Sequence, residues 1–353
     1  MNRFSAWLIA LCLFLPPAAL ADDALVVTSW GGAYAKSQRA AYFDAFQNVS
    51  GTSIQLKEYN GGIDALKSSG EPAFDILDMT EPDALAACSA GLLEPFNARM
   101  LDDTEDFLSG SFHECGVVHL VYSTVIAYDD RAFPGEKPQT VADFFKITRF
   151  PGKRALRRQP IALLEWSLLA QGVPISQLYD LLSTERGMAL AFRMLDRIRD
   201  HIIWWDSGSQ APELLRAGKA VMASGFNGRF FDARVNGGAA ITIIWDGQLL
   251  DTSVWAIAKN TPRRKQAEQF IRFATQPQNM ATLASHIPYG PTRRSAMRRI
   301  GLHAKSNVPM LHHMPTSKAN LRRAIRMDSV WYARTKALRQ RRFKAWLSKA
   351  AED

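Results

Sequence analysis

Two segments near the start of the chain, each with a strand, a turn and a helix in that order, constrain the fold most. An apolar strand pattern at 24–28 passes directly into a glycine-containing turn at 29–34, where a helix begins. A second short strand at 74–78 is followed by the turn at 79–82 and another helix. This order predicts a layered α/β fold. Because open α/β sheets bind ligands at the carboxyl ends of their strands, we expect both turns to lie beside a binding cleft.

The first 21 residues have the pattern of a secretory signal peptide. One basic residue, Arg3, precedes an apolar stretch at 6–15, and the small residues Ala19 and Ala21 stand before Asp22. The apolar stretch is too short to span a bilayer, and its flanks favour cleavage over anchoring. We therefore predict cleavage after Ala21 and a periplasmic mature protein.

The length and charge of the rest of the chain narrow the possible partners. A chain of this size favours two hydrophobic cores over one. The formal net charge is +9, and much of the basic charge comes late, for example at Arg293 and Arg339. Because an exported protein does not meet nucleic acid in the cytoplasm, we expect no nucleic-acid partner and interpret these residues as solvated helix faces rather than as an anion-binding surface. We also expect a monomer.

Signatures of common enzymes are absent from the sequence. It contains no G-x-S-x-G, H-E-x-x-H, P-loop or G-x-G-x-x-G motif. His312 and His313 are adjacent and the other histidines are scattered, which is not the spacing of metal ligands. We predict no catalytic residue, no cofactor and no metal. Cys88 and Cys115 remain after cleavage, and two cysteines in an exported chain usually form a disulfide.

Aromatic side chains stand at five chain turns, three of them with a carboxylate of their own. Aromatic faces attract cations, and a buried ammonium group needs a carboxylate to balance it. Each site alone could be core packing, but five at turns favour a cleft for a cationic nitrogen. The sites are Trp30 with Tyr34, Trp204 and Trp205 with Asp206, Trp245 with Asp246, Asp251 with Trp255, and Tyr289.

Motifs spread over nearly all of the mature chain resemble those of the periplasmic spermidine/putrescine-type receptors of ABC importers. The resemblance implies the type II periplasmic binding-protein fold, with two α/β lobes and a ligand cleft between them. It also implies a small amine-bearing, polyamine-like solute and delivery to an inner-membrane ABC permease with its ATPase. The motifs lie at 29–34, 88 with 91–95, 114–116, 128–130, 150–157, 205–210, 226–229 and 289–292.

The sequence departs from this family at three places. Phe226 replaces a tryptophan, residues 159–162 replace a pair of carboxylates, and Ser253 replaces an aspartate. These lost charges weaken the case for a polyamine. The alternative is an anionic or zwitterionic solute, such as an aminophosphonate or opine-like compound, bound by the turn amides near Gly31 and by Arg229. An exported two-lobed enzyme and an adhesive or scaffolding protein are the alternatives from other classes, and a turnover assay separates the enzyme from a receptor.

We therefore expect lobe one at 22–129 plus 255–295, and lobe two at 130–250 plus 296–353. The predicted ligand-binding residues are Trp30, Tyr34, Glu81, Trp205, Asp206, Phe226, Asn227, Asp251, Trp255 and Tyr289.

Overall fold

The computed structural model describes residues 24–67 and 72–348. The predicted signal peptide and its cleavage site lie outside these residues. Within them, helices cover a mixed parallel and antiparallel sheet, which confirms the predicted α/β class. No helix in the described ranges is both long enough and apolar enough to cross a membrane.

The described residues form one sheet of 11 strands, whose main path runs β2-β1-β3-β9-β5-β8-β6-β7. Its outer strands pair in parallel at both ends, as α/β units require, while β5 and β9 at the centre are antiparallel. The strands are β1 (Leu25–Ser29), β2 (Ile54–Glu58), β3 (Ile76–Thr80), β4 (Phe112–His113), β5 (Gly116–Asp129), β6 (Arg154–Arg157), β7 (Ile202–Trp205), β8 (Met222–Phe226), β9 (Ile241–Ile257), β10 (Gly290–Pro291) and β11 (Ile325–Arg326).

The α-helices pack on the sheet and, in several cases, begin at residues suited to that position. Thr80 accepts a hydrogen bond from the backbone of Asp83 at the start of α3, and Pro82 stands in its first turn. The helices are α1 (Gly32–Gln38), α2 (Asp44–Ser50), α3 (Glu81–Ser89), α4 (Val141–Phe144), α5 (Leu163–Leu169), α6 (Leu178–Leu182), α7 (Glu185–Asp196), α8 (Gln210–Arg216), α9 (Asn227–Val235), α10 (Arg264–Ala274), α11 (Pro277–His286), α12 (Arg294–Met297) and α13 (Ser329–Ser348); the π-helical segment Arg39–Phe43 joins α1 to α2.

Two long strands, β5 and β9, connect the halves of the sheet. One end of β9 pairs with β3, while the far end of β5 pairs with β8. The pairing between β5 and β9 shifts register between Val118 and Leu120 and again between Thr124 and Ile126. The predicted boundary at 129/130 lies at the end of β5, and the predicted boundary at 250–255 lies within β9.

Each lobe has its own hydrophobic core. In lobe one, Tyr42, Trp255 and Phe270 pack on one face of the sheet. On the other face of the same lobe, Cys88 and Cys115 form a disulfide, which confirms the predicted bond. In lobe two, α5 to α7 pack on the sheet and bury residues such as Trp166 of α5, and α13 joins the same core. The helix α12 spans the predicted lobe limit at 295/296 and packs on α11.

Two of the late arginines are buried, so interpreting the late basic residues as solvated faces is wrong for them. Arg339 is only 4% exposed, and its guanidinium carbon lies 4.0 Å from the ring centroid of Tyr332. Arg293 lies 4.1 Å from the ring centroid of Phe107 and donates to backbone carbonyl groups. A planar guanidinium can stack on a ring while N–H groups donate at its edge, and for Arg293 the carboxylate of Asp106 also lies 3.8 Å away.

Candidate functional site

A cleft of two joined chambers lies between the lobes, at the strand ends that the sequence indicated. We call the chamber of about 400 Å³ the aromatic chamber and the adjoining chamber of about 620 Å³, which α13 borders, the helix chamber. The residues that line both chambers are Trp30, Asn60, Thr80, Tyr122, Arg157, Gln159 and Phe226.

Aromatic rings from both lobes line the aromatic chamber. Tyr34 stands edge-on to Tyr289 with ring centroids 5.4 Å apart, and Tyr122 lies 6.0 Å from Tyr289 and 5.8 Å from Phe226. Trp30, at the end of β1, completes the wall beside them. The structure therefore brings together four of the predicted residues, Trp30, Tyr34, Phe226 and Tyr289, and adds Tyr122 from the middle of β5.

Asp251 is a buried acid at the joint between β5 and β9, and it lines the helix chamber. The hydroxyl of Tyr122 donates to its Oδ2 across 2.5 Å, and the backbone N–H of Thr252 donates to Oδ1 across 2.7 Å. Burial raises the pKa of Asp251 to about 7, and the nearby negative charges of Glu81 and Asp83 raise it further. The two hydrogen bonds lower this pKa and so oppose the shift. An ammonium group placed beside this carboxyl group stabilises its charged form.

Glu81, at the first turn of α3, is already paired. Its carboxylate lies 3.2 Å from Nε2 of His113 and accepts a hydrogen bond from Thr252 across 2.6 Å. Burial alone would raise the pKa of Glu81, but the neighbouring His113 ring and the hydrogen bond from Thr252 hold it below its ordinary value. Glu81 is not among the residues lining either chamber. Its charge acts on the cleft through Asp251.

Arg157, the last residue of β6, faces both chambers and is the main residue that sequence analysis missed. Its guanidinium stands 5.5 Å from the ring centroid of Phe226 and 5.8 Å from that of Trp205. Burial lowers the pKa of Arg157, and Asp251 acts on it only as a more distant charge that opposes this shift. Its Nε has no hydrogen-bond partner among the described residues. A half-buried cation in this state is suited to receive a carboxylate in the two-pronged geometry of arginine.

Arg229 reaches across the cleft from α9 in lobe two. One of its terminal nitrogens donates to the carbonyl oxygens of Trp30 and Gly31, each across 2.8 Å. Gly32 has a φ of +52°, and a Cβ atom there would lie 2.3 Å from Arg229, so the turn requires glycine. One terminal nitrogen of Arg229 therefore holds the glycine turn, while its Nε, which has no hydrogen-bond partner among the described residues, is free to meet a solute in the aromatic chamber.

The other predicted residues have different positions. Asp206 lines the aromatic chamber with a side chain that is 73% exposed. Trp205 is buried behind Phe226, with centroids 6.2 Å apart. Asn227 is buried and positions α9 by donating to the carbonyl of Pro288. These two support the wall from behind.

Trp255 does not line either chamber, so the prediction that it forms part of the wall is corrected. Its ring is fully buried and stacks on His119 with centroids 4.4 Å apart, beneath Tyr42 and Phe270. Side chains alternate along a strand, so Trp255 shares a face of β9 with Asp251 but lies deeper in lobe one.

The fold and the cleft together define a two-lobed solute receptor. Residues 41–309 match a family model described as bacterial extracellular solute-binding protein. The chain belongs to this family.

Individual relatives cover almost the full length of the chain. It is 36% identical over 339 residues to the gamma-aminobutyric acid-binding protein of Pseudomonas aeruginosa, covering 95% of this chain and 94% of that protein. Among solved structures, the PBP MotA from A. tumefaciens B6 in complex with glucopine is similar, with 26% identity, a TM-score of 0.83 and coverage of 92% and 99%. The PBP AgtB from A. tumefaciens R10 in complex with agropinic acid is also similar, with 25% identity, a TM-score of 0.80 and coverage of 93% and 99%.

Proposed function

We propose that this chain is a periplasmic receptor for a small zwitterionic solute that carries both an ammonium group and a carboxylate. It delivers this solute to an ABC permease with its ATPase, acts as a monomer, and makes or breaks no covalent bond. The observation that carries the proposal is that one cleft holds both a half-buried cation, Arg157, whose Nε has no hydrogen-bond partner among the described residues, and a buried acid, Asp251.

The positive charge of Arg157 in the cleft disfavours a solute that carries only positive charges. A buried charge is costly unless an opposite charge accompanies it, and a carboxylate from the solute supplies that partner. A diamine would instead place an ammonium group near this guanidinium, where like charges repel. The zwitterionic alternative is therefore better supported than the polyamine expected from the resemblance.

Asp251 and the aromatic rings are suited to the other end of the solute. The carboxyl group of Asp251 is available to an ammonium group, and the rings of Tyr122, Trp30 and Phe226 provide faces that attract a cation. The proposed solute thus has the amine that the sequence predicts and a carboxylate as well.

The names of similar proteins support a solute with both groups. One relative is a gamma-aminobutyric acid-binding protein, and two structural neighbours are described in complex with glucopine and agropinic acid. Gamma-aminobutyrate carries an amine and a carboxylate at opposite ends, which matches the two charged groups of the cleft.

Receptors of this shape work by closure of two lobes around the solute. We propose that the lobes meet within β5 and β9, so that bending of these strands opens and closes the cleft. The closed form, with the solute buried, is then the one that the permease recognises.

Mass spectrometry of the ligand released from freshly purified, denatured protein tests the proposal. We expect a compound with at least one amine and one carboxylate. A diamine or triamine without a carboxylate would show that the polyamine hypothesis is right instead.

A further inference from the structure

The long helix α13 is anchored in lobe two. Its aromatic residues Tyr332 and Trp346 are buried in the core of that lobe. The hydroxyl of Tyr332 donates to Glu165 across 2.5 Å, and the indole N–H of Trp346 donates to Asp196 across 2.7 Å. The helix therefore has to move with lobe two when the lobes change their relative position.

The same helix also reaches lobe one through Lys336. Its Nζ lies 2.7 Å from Oδ1 of Asp83, at the start of α3. The other oxygen of Asp83 accepts a hydrogen bond from the backbone N–H of Gly62 across 2.9 Å. Gly61 and Gly62 line the helix chamber, and a Cβ on Gly61 would lie 3.3 Å from the ring of Trp30. A continuous set of contacts thus runs from α13 to a wall of the cleft.

We propose that Lys336 is a positioning residue for solute binding. Through Asp83 it holds lobe two against lobe one and fixes the turn at 60–62 beside Trp30. The proposal rests on the proposed function only in taking the cleft as the solute site, and it does not depend on which solute binds.

Opening of the cleft has to break this ion pair, because α13 belongs to lobe two and α3 to lobe one. The side chain of Asp83 is 13% exposed and that of Lys336 is 37% exposed, so the pair is better shielded from water than an ordinary surface pair. A contact made only in the closed arrangement raises the fraction of receptor that is ready to bind. The apparent dissociation constant is inversely proportional to that fraction, so it falls as the fraction rises.

Calorimetric titration with gamma-aminobutyrate as the probe tests the proposal on the mature protein. We expect Lys336→Met to raise the dissociation constant about three- to ten-fold, and Lys336→Arg, which keeps the charge, to stay within about two-fold of the original protein. Arg341→Met is the matched control, because Arg341 is exposed on the same helix and does not line either chamber. A dissociation constant for Lys336→Met within about two-fold of the original value would overturn the proposal.

A second measurement needs no solute. Spin labels at Val49→Cys in lobe one and Lys219→Cys in lobe two, both exposed, report the distance between the lobes by pulsed electron resonance. Without solute, Lys336→Met should show longer and more widely distributed distances than the protein with Lys336. If no titration shows binding of gamma-aminobutyrate, the choice of probe or the proposed function is wrong, while the distances still test Lys336. Identical distances in the two proteins would overturn its role.

Discussion

Tyr122 and Asp251 face each other in the ladder between β5 and β9, and the tyrosine hydroxyl donates to the carboxyl group across 2.5 Å. Both strands pass between the lobes, and both side chains line the cleft. The acid that we assign to the solute's amine therefore stands at the point where the lobes join, so its charge can influence binding and closure together.

The pKa of Asp251 makes affinity depend on pH. In the folded protein this pKa is about 7, above the ordinary 3.8, so folding favours the neutral carboxyl group. Its contribution to the free energy of unfolding is fully present below about pH 4 and is lost as the pH rises through 7. An ammonium group lowers this pKa, so binding should release a proton and affinity should rise between about pH 5.5 and about pH 8. Calorimetric titrations over this pH range measure the affinity. Repeating them at one pH in buffers of different ionisation enthalpy measures the proton release.

Asp251→Asn is the control for this dependence on pH. It should bind more weakly and lose most of the proton release. An affinity of the original protein that stays constant over this range, with no proton released, would contradict the assignment of Asp251 to the amine.

Removal of the cleft cation should abolish most of the binding. We expect Arg157→Gln to weaken binding of gamma-aminobutyrate about 100-fold, because the solute carboxylate then has no charged partner. The melting temperature should fall little, since among the described residues the half-buried guanidinium of Arg157 has no carboxylate partner to lose. Arg216→Gln is the control, because Arg216 pairs with Glu213 on the surface and such pairs contribute little. Equal affinities of the two variants would show that Arg157 does not bind the solute.

Two tryptophans with the same predicted role should now behave differently. Trp255→Ala should lower the free energy of unfolding by about 3–5 kcal/mol, because it empties a fully buried site in the lobe-one core. Trp30→Ala should weaken binding and leave stability nearly unchanged. Chemical denaturation and calorimetry on the same samples separate the two effects, and the reverse pattern would place Trp255 rather than Trp30 at the solute.

The disulfide should contribute strongly to the stability of lobe one. It closes a loop with a sequence separation of 27 residues. The chain-entropy model gives about 3.5 kcal/mol for such a loop. The variant with Cys88→Ser and Cys115→Ser should therefore show a clearly lower urea midpoint. An unchanged midpoint would mean that the bond does not form in the exported protein or does not stabilise it.

Local sequence signals identified the fold and one wall of the cleft. The glycine turn at 29–34 predicted the position of Trp30 and Tyr34, because its strand and helix follow each other directly in the chain. The prediction that Trp255 lines the cleft was wrong, because period-two alternation shows which face of a strand a side chain lies on. It does not show where along the strand the cleft ends and the core begins. Arg157 ends a strand without any local feature that shows an unpaired charge.

Contacts between distant parts of the chain could not be predicted in the same way. Lys336 and Asp83 are 253 residues apart in sequence, and nothing local to either indicates the other. Arg339 looked like one more charge on a basic helix, but Trp331 and Tyr332, both about two turns before it, bury its guanidinium. Such relationships depend on how the C-terminal helix packs against both lobes.

Titration with three four-carbon compounds tests the central claim most directly. Gamma-aminobutyrate carries both charges, putrescine has an amine in place of the carboxylate, and butyrate lacks the amine. We expect gamma-aminobutyrate to bind, and the other two to bind at least about tenfold more weakly, because each leaves Arg157 or Asp251 without its partner. Binding of putrescine that is as tight as, or tighter than, binding of gamma-aminobutyrate would contradict a zwitterionic solute.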